Sequence, residues 1–378
     1  MRSIVHEGWQ MKIMEGKMLS RCLVFILFSM FVVHVHGDVL ETVRQEFEIY
    51  HRLPGEIEVL TTDDLREIDN VLRRTEARRL IVRKALHEAP AGQPQRELPS
   101  PLFAEDYVAP FKHYVTVERA FARRSLQQGR LDDAVQSIHY VYRLAEELAA
   151  SGSLELRVAA ARFRLQMLEI AQSLVMHPLC RHEHHEQLHQ ILDDQINGRE
   201  TDEAVWTRFR EEGRQFFENI TRRGFDQMVS PSLLRELMER RAFSEYERAM
   251  VEQFNHDRSV FLRVSEVIIE SCAQPFFQRQ PTLRQLDTEL RERRGTAGEP
   301  VFALLLLRDI TSSMRLFAQE RSGIETAHIA LSVALGKRNR RPMPLNFLTG
   351  NEYEIRLLVG GVMCTYEGNI QPFYVPYR

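Results

Sequence analysis

From Leu40 to about Leu335 the apolar residues of this chain recur three and four positions apart, with Arg, Glu and Asp between them. That spacing puts one apolar stripe on each helix, and a strand cannot use it, because strand side chains alternate faces with period two. A mainly α fold is therefore predicted. Thr61-Thr62-Asp63-Asp64 offers a cap to a stretch ending near His87, whose apolar face is Leu65, Ile68, Val71, Leu72, Leu80 and Val82. The Pro-rich stretch from Ala89 to Pro110 cannot continue that helix, since each proline removes a donor and crowds the preceding turn.

Beyond the break, Gln128-Gly129-Arg130-Leu131-Asp132-Asp133-Ala134 ends one helix at a glycine and starts the next. Gly closes such a turn and the small Ala lets two helices approach, as in tetratricopeptide-like hairpins. No second copy follows at a fixed 34-residue period, so the pattern predicts an irregular array of helical hairpins, TPR-like in part. Further helices are expected at about 178–197, 202–228, 231–272, 282–293 and 300–335, with Val301 to Leu307 packed all round. After Pro342 the pattern changes. Tyr353–Val359, Val362–Glu367 and Ile370–Val375 are short β-rich runs separated by Gly360-Gly361 and Gly368-Asn369, which predicts a small C-terminal three-stranded β meander.

The amino terminus has the layout of an export signal. Arg2, Lys12, Lys17 and Arg21 precede an apolar run from Cys22 to Val35, and Val35 and Gly37 sit where signal peptidase requires small residues. The run falls short of the roughly 20 residues of a membrane-spanning helix. Cleavage after Gly37 is expected, giving a periplasmic or secreted protein, and the expected organisation is 1–37 signal peptide, 38–110 helical arm and Pro-rich connection, 111–341 helical domain, and 342–378 β tail. Removing the leader takes away four basic and two acidic residues, so the chain becomes more acidic than its overall net charge of −3. Nucleic acid is not an expected partner. Cys180, Cys272 and Cys364 remain after cleavage, a set that permits at most one internal disulfide.

The sharpest chemical motif is His185-Glu186-Gln187-Leu188-His189, a match to H-E-x-x-H. On a helix the two imidazoles lie one turn apart and can reach one Zn²⁺, while the glutamate acts as general base on the metal-bound water. This motif lies in a His-rich run, Gln195 stands where a third His would extend it, and helices rather than strands precede it. A solvated helix is the simpler expectation, with Leu188, Ile191, Leu192 and Ile196 buried and His182, His184, His185 and His189 on the wet side or its margin. Lys337, Arg338, Arg340 and Arg341 form a basic knot that suits the negative end of a helix dipole. Gly-rich phosphate loops, G-x-S-x-G elbows and C-x-x-C pairs are absent from the sequence.

The run from Gly129 to Leu174, with Gly-Arg-Leu-Asp-Asp-Ala-Val and then Tyr-Arg-Leu-Ala-Glu-Glu-Leu-Ala, resembles a group of exported bacterial α-helical proteins. Members of that group add a late Pro-containing stretch (here Gln274-Pro275 to Leu290), an Ala/Leu helix (here Thr326 to Leu335) and a short β tail. The resemblance implies fold and export only; it brings no activity and no site residues.

The expectation for function is an exported, non-catalytic protein that binds another macromolecule through helical-hairpin surfaces between about 111 and 272. Its partner would be an envelope or secreted protein, with membrane contact only if the leader stays uncleaved, and no cofactor is expected. The alternative is a zinc-dependent hydrolase with His185 and His189 as ligands and Glu186 as base.

Overall fold

The computed structural model describes residues 39–48, 62–89, 104–150, 154–223, 250–296, 299–307, 310–337, 344–366 and 372–377. The predicted leader and the basic side chains Arg338, Arg340 and Arg341 lie outside the described residues. The protein is mostly helical with a C-terminal three-stranded antiparallel sheet, as its periodicity predicts.

The short α1 (Val39–Phe47) and two long helices, α2 (Thr62–Glu88) and α3 (Ala104–Gln127), come first among the described residues. Pro110 stands inside α3, so that helix begins within the Pro-rich stretch and crosses position 111 without a break. Then come α4 (Leu131–Ala150), α5 (Leu154–Met176) and α6 (His182–Asn197). The α3–α4 turn is built as its sequence predicts. Gly129 has φ of 71°, its N–H bonds the Leu126 carbonyl at 3.0 Å, and the Arg130 N–H bonds the Ser125 carbonyl at 2.9 Å. This reciprocal pair satisfies the last carbonyls of α3 with a left-handed residue that costs little only when it is Gly.

The chain continues through α7 (Asp202–Arg223), α8 (Met250–Ser271), α9 (Phe276–Glu292) and the short α10 (Val301–Leu306). Every apolar side chain of α10 except Leu305 is buried, in keeping with its all-round apolar sequence. The long α11 (Ile310–Ala334) follows, and then β1 (Glu354–Leu358), β2 (Gly361–Thr365) and β3 (Phe373–Pro376) in order β1-β2-β3. The sheet packs on α11 and α5 through Cys364, Phe373 and Val375. An outer edge of β3 is satisfied by a side chain in place of a strand: the Gln172 amide donates to the Tyr374 carbonyl and accepts from its N–H, both at 2.9 Å.

Two apolar clusters share the work of burial. One joins α1 to α6 with the C-terminal half of α11 and the sheet, and it includes Phe111, Tyr142, Met167, Leu188 and Ile329. The other joins α7 to α10 with the first half of α11 and contains Trp206, Phe209, Phe261, Phe302 and Phe317. α11 passes from one to the other between Ala318 and Ile324, and α5 gives Leu154, Val158 and Ala161 to the second cluster and most of its other apolar residues to the first.

Within the second cluster α7 and α8 approach closely because Gly213 carries no side chain. A Cβ there would lie 2.1 Å from Cζ of the fully buried Phe261 ring. Gly213→Ala is therefore expected to destabilise by about 1 to 3 kcal/mol through overpacking, despite the better helix propensity of Ala. Urea unfolding of Gly213→Ala, Phe261→Leu and the double variant tests this. Recovery of stability in the double variant relative to the sum of the singles is the expected result, and strict additivity excludes the steric account.

Candidate binding pocket

α6 carries both the H-E-x-x-H match and one wall of a pocket, so its orientation decides what either can do. It starts after Arg181, whose backbone N–H donates to Nδ1 of His184 at 2.9 Å, and it ends where the Gly198 N–H bonds the Asp194 carbonyl at 2.8 Å. Helices α4, α5 and α11 pack around it.

The packing of α11 changes the expected exposure of the histidines. His184, His185 and His189 are buried, at 8%, 2% and 9% exposure, and not on the wet side. Leu188, Ile191 and Leu192 are buried as expected. The reason is that α6 is covered on two faces, and a single stripe of apolar residues does not reveal a second neighbour. Of His185, Glu186 and His189 only Glu186 points outward, half-exposed, with its carboxylate 3.5 Å from the equally exposed His182.

Both nitrogens of His189 are occupied. Nδ1 lies 3.2 Å from Nζ of Lys337 and Nε2 lies 2.9 Å from Oγ of Ser332, while the ring stacks 4.4 Å from that of His328. An ammonium has only donors, so Nδ1 accepts and the proton sits on Nε2, facing Ser332. Burial, with His328 and Lys337 adding to it, pulls the His189 imidazole down to about 4. The ring is neutral at pH 7, as a metal ligand must be, but its lone pair faces Lys337. Among the described residues no group of three His, Cys, Asp or Glu side chains is placed to hold a metal ion. Cys180, Cys272 and Cys364 form no disulfide with one another.

On the other side of α6 a pocket of about 580 Å³ opens between α4, α5, α6 and the segment leading into α7. Its size lies within the range of small-ligand sites, roughly 300 to 1,000 Å³. Five arginines line it: Arg143, Arg157, Arg164, Arg199 and Arg208. Two of them meet carboxylates of their own, and Arg143 also lies 3.9 Å from Glu147. Arg143 donates to Glu146 at 2.6 Å, and Arg208 pairs with Glu200. The other three converge on Glu320 of α11, which is wholly buried: Arg157 Nη2 at 3.2 Å from Oε2, and Arg164 Nη1 and Arg199 Nη2 at 3.1 and 3.2 Å from Oε1.

The electrostatics of this cluster follow from its burial. Desolvation alone would raise the Glu320 carboxyl, but the guanidiniums of Arg199, Arg157 and Arg164 overcome it and hold the group near about 2. Burial pulls Arg164 down to about 10 even with Glu320 beside it, and Arg199 is lowered for the same reason. Arg164 is further fixed by donating from Nε to Gln195 at 2.8 Å. One guanidinium nitrogen, Nη1 of Arg157, is buried with no hydrogen-bond partner.

The pocket falls inside the 111–272 region that the sequence marks for binding, but its key residues carry no motif. Arg157 and Glu320 are 163 positions apart, and in the sequence each reads as one more charge among helical residues. A signal was present nonetheless. Glu320 follows Phe317 by three positions and precedes Ile324 by four, which places a carboxylate on the buried stripe of α11.

No family model matches the chain, and no curated protein or solved structure matches it. No helix among the described residues is long and apolar enough to cross a membrane.

Proposed function

We propose that this is an exported, non-catalytic helical protein that acts by binding another macromolecule, an envelope or secreted protein, and that the pocket beside α6 is its point of attachment. The observation that carries this reading is a ready-made concave site lined by five arginines, set in hairpin helices whose frame is fixed by buried ion pairs. The hydrolase alternative draws less support, because Glu186 faces solvent away from His185 and His189 and the His189 lone pair meets Lys337.

A photo-crosslinking amino acid placed at Ala150 or Asn197, both lining the pocket, is expected to trap a discrete partner from the envelope or secreted fraction. The same group at Glu186 is expected to trap none, and the purified partner should bind the purified protein with fixed stoichiometry. Adducts no more frequent from pocket positions than from Glu186 would defeat the reading. So would one zinc per chain that is lost in His185→Ala and accompanies peptide hydrolysis.

A further inference from the structure

Arg143 and Arg208 are matched by Glu146 and Glu200, and the remaining pocket carboxylate, Asp194, accepts from the Gln190 amide at 2.8 Å. The Glu320 cluster is not matched in this way. Among the described residues three guanidiniums share Glu320 as their ion-pair partner, and Glu146 beside Arg164 and Glu325 beside Arg199 act on them only at longer range. Gln195, the other partner of Arg164, is neutral.

Concentrating like charges away from water is costly, and the cost falls when an anion completes the set. Two geometric details say where it would sit. Arg157, 4% exposed and lining the pocket, keeps Nη1 without an acceptor among the described residues, and since that atom is buried and the guanidinium lies 4.9 Å over the Phe317 ring, an anion would meet it only after a shift of the Arg157 head. Arg199 has the most exposed side chain of the three, at 16%, which places it nearest the opening. Guanidiniums bind planar or tetrahedral oxyanions through paired N–H donors, and such charge-assisted bonds are the strong ones. The pocket is larger than an isolated oxyanion, and Ala149, Ala150 and Ile191 line part of it, so there is room for a partly apolar body behind the charged head.

We propose that the pocket is an oxyanion site, in which Arg199 and Arg157 take the carboxylate or phosphate head of an organic acid or phosphate ester while Glu320 and Gln195 hold the arginine array in place. The inference rests on the same pocket as the binding reading above, but not on the partner being a macromolecule. An acidic group presented by a partner protein and a free organic acid share this chemistry.

The test uses calorimetric titration and thermal denaturation of the purified full chain with sodium phosphate, sodium succinate and sodium chloride at matched ionic strength. Saturable binding of one phosphate or succinate per chain, with a raised melting temperature that chloride does not reproduce, is expected. Arg199→Gln and Arg157→Gln should each weaken that binding about tenfold or more, as expected for losing charge-assisted hydrogen bonds. Arg356→Gln, on the exposed face of β1, should leave it unchanged.

A second readout separates a ligand site from a structural ion pair. Because Arg199→Gln removes one of three guanidiniums that crowd Glu320, the unliganded variant should melt no lower than the wild type; a purely structural bridge predicts a lower melting temperature. Binding of phosphate alone identifies a phosphate head, and of succinate alone a carboxylate head, and either supports the proposal. Absence of saturable binding, an equal effect of chloride showing an adventitious ion only, or unchanged affinity in Arg199→Gln overturns it. A crosslinked partner with no saturable oxyanion binding would sink the oxyanion site and spare the binding reading; oxyanion binding with no crosslinked partner would do the reverse.

Discussion

Glu320→Gln is expected to cost about 3 to 5 kcal/mol, which for a marginally stable chain leaves a large unfolded fraction at ordinary temperature. The amide is nearly the same shape as the carboxylate, so the loss is electrostatic and no cavity forms. Arg157, Arg164 and Arg199 would then stand together with no counter-charge at the point where α11 passes between the two apolar clusters. Urea unfolding at pH 7 measures the effect, and a loss below about 1 kcal/mol would show that water or relaxation already neutralises the cluster.

The same variant has a pH signature. The Glu320 carboxyl is depressed on folding, so its contribution is complete above its unfolded value and fades as pH falls toward about 2. The contribution at stake is about 3 kcal/mol. The stability difference between wild type and Glu320→Gln should therefore narrow as pH is lowered from 5 through 3. A difference that stays constant over that window would mean that the carboxylate is not the group being titrated.

Glu118→Ala is expected to be as severe and to fall on a different part of the molecule. Glu118 is completely buried on α3 and accepts from Arg79 Nε at 3.2 Å, from Arg83 Nε and Nη2 at 2.9 and 2.6 Å, and from Ser137 Oγ at 2.9 Å. Those four bonds tie α2 to α3 and α4, and Arg79 also lies 3.6 Å over the Phe121 ring. Burial would raise the Glu118 carboxyl, but the Arg83 hydrogen bond and the charges of Arg79 and Arg83 bring it below its ordinary value. Truncation removes the carboxylate and leaves two buried arginines, at a cost of about 3 to 5 kcal/mol.

The location of the damage distinguishes this loss from general unfolding. Hydrogen exchange should quicken first in the amides of α2, the helix whose hold on α3 is weakest once the pair is gone, while the α7–α8 region keeps its protection. Uniform acceleration across both clusters would instead show that α2 unfolds only with the whole chain. Ser137→Ala, which removes one acceptor and one donor from the same set, should cost about 1 kcal/mol.

The two ion clusters also mark how far the sequence can be read. Most of the helices, the Gly129 turn and the meander were legible because each depends on contacts a few residues apart, i, i+3 and i+4 for a helix and a short turn for a hairpin, although α9 starts at Phe276 and not 282 and the expected 300–335 helix is two, α10 and α11. The burial of His189 was not, since Ser332 and Lys337, which meet its ring, lie more than 140 positions away. The H-E-x-x-H spacing set the two imidazoles one turn apart but could not say that Lys337 would meet one of them. Likewise the helix ending α3 begins inside the proline stretch, because a single proline in an early turn costs less than the burial of Phe111, Tyr114 and Val115 returns.

What the amino-acid order determined by itself was therefore local: a mainly α chain with a β tail, where its turns fall, and which stripe of most helices is apolar. Which stripes meet was decided only by the tertiary structure, and with it the assembly of Arg157, Arg164 and Arg199 around Glu320. The physical reason is range. Backbone geometry imposes its period on neighbours in sequence, whereas the energy of a buried charge depends on every group within a few ångströms in space, and those groups come from α5, α11 and the segment between α6 and α7.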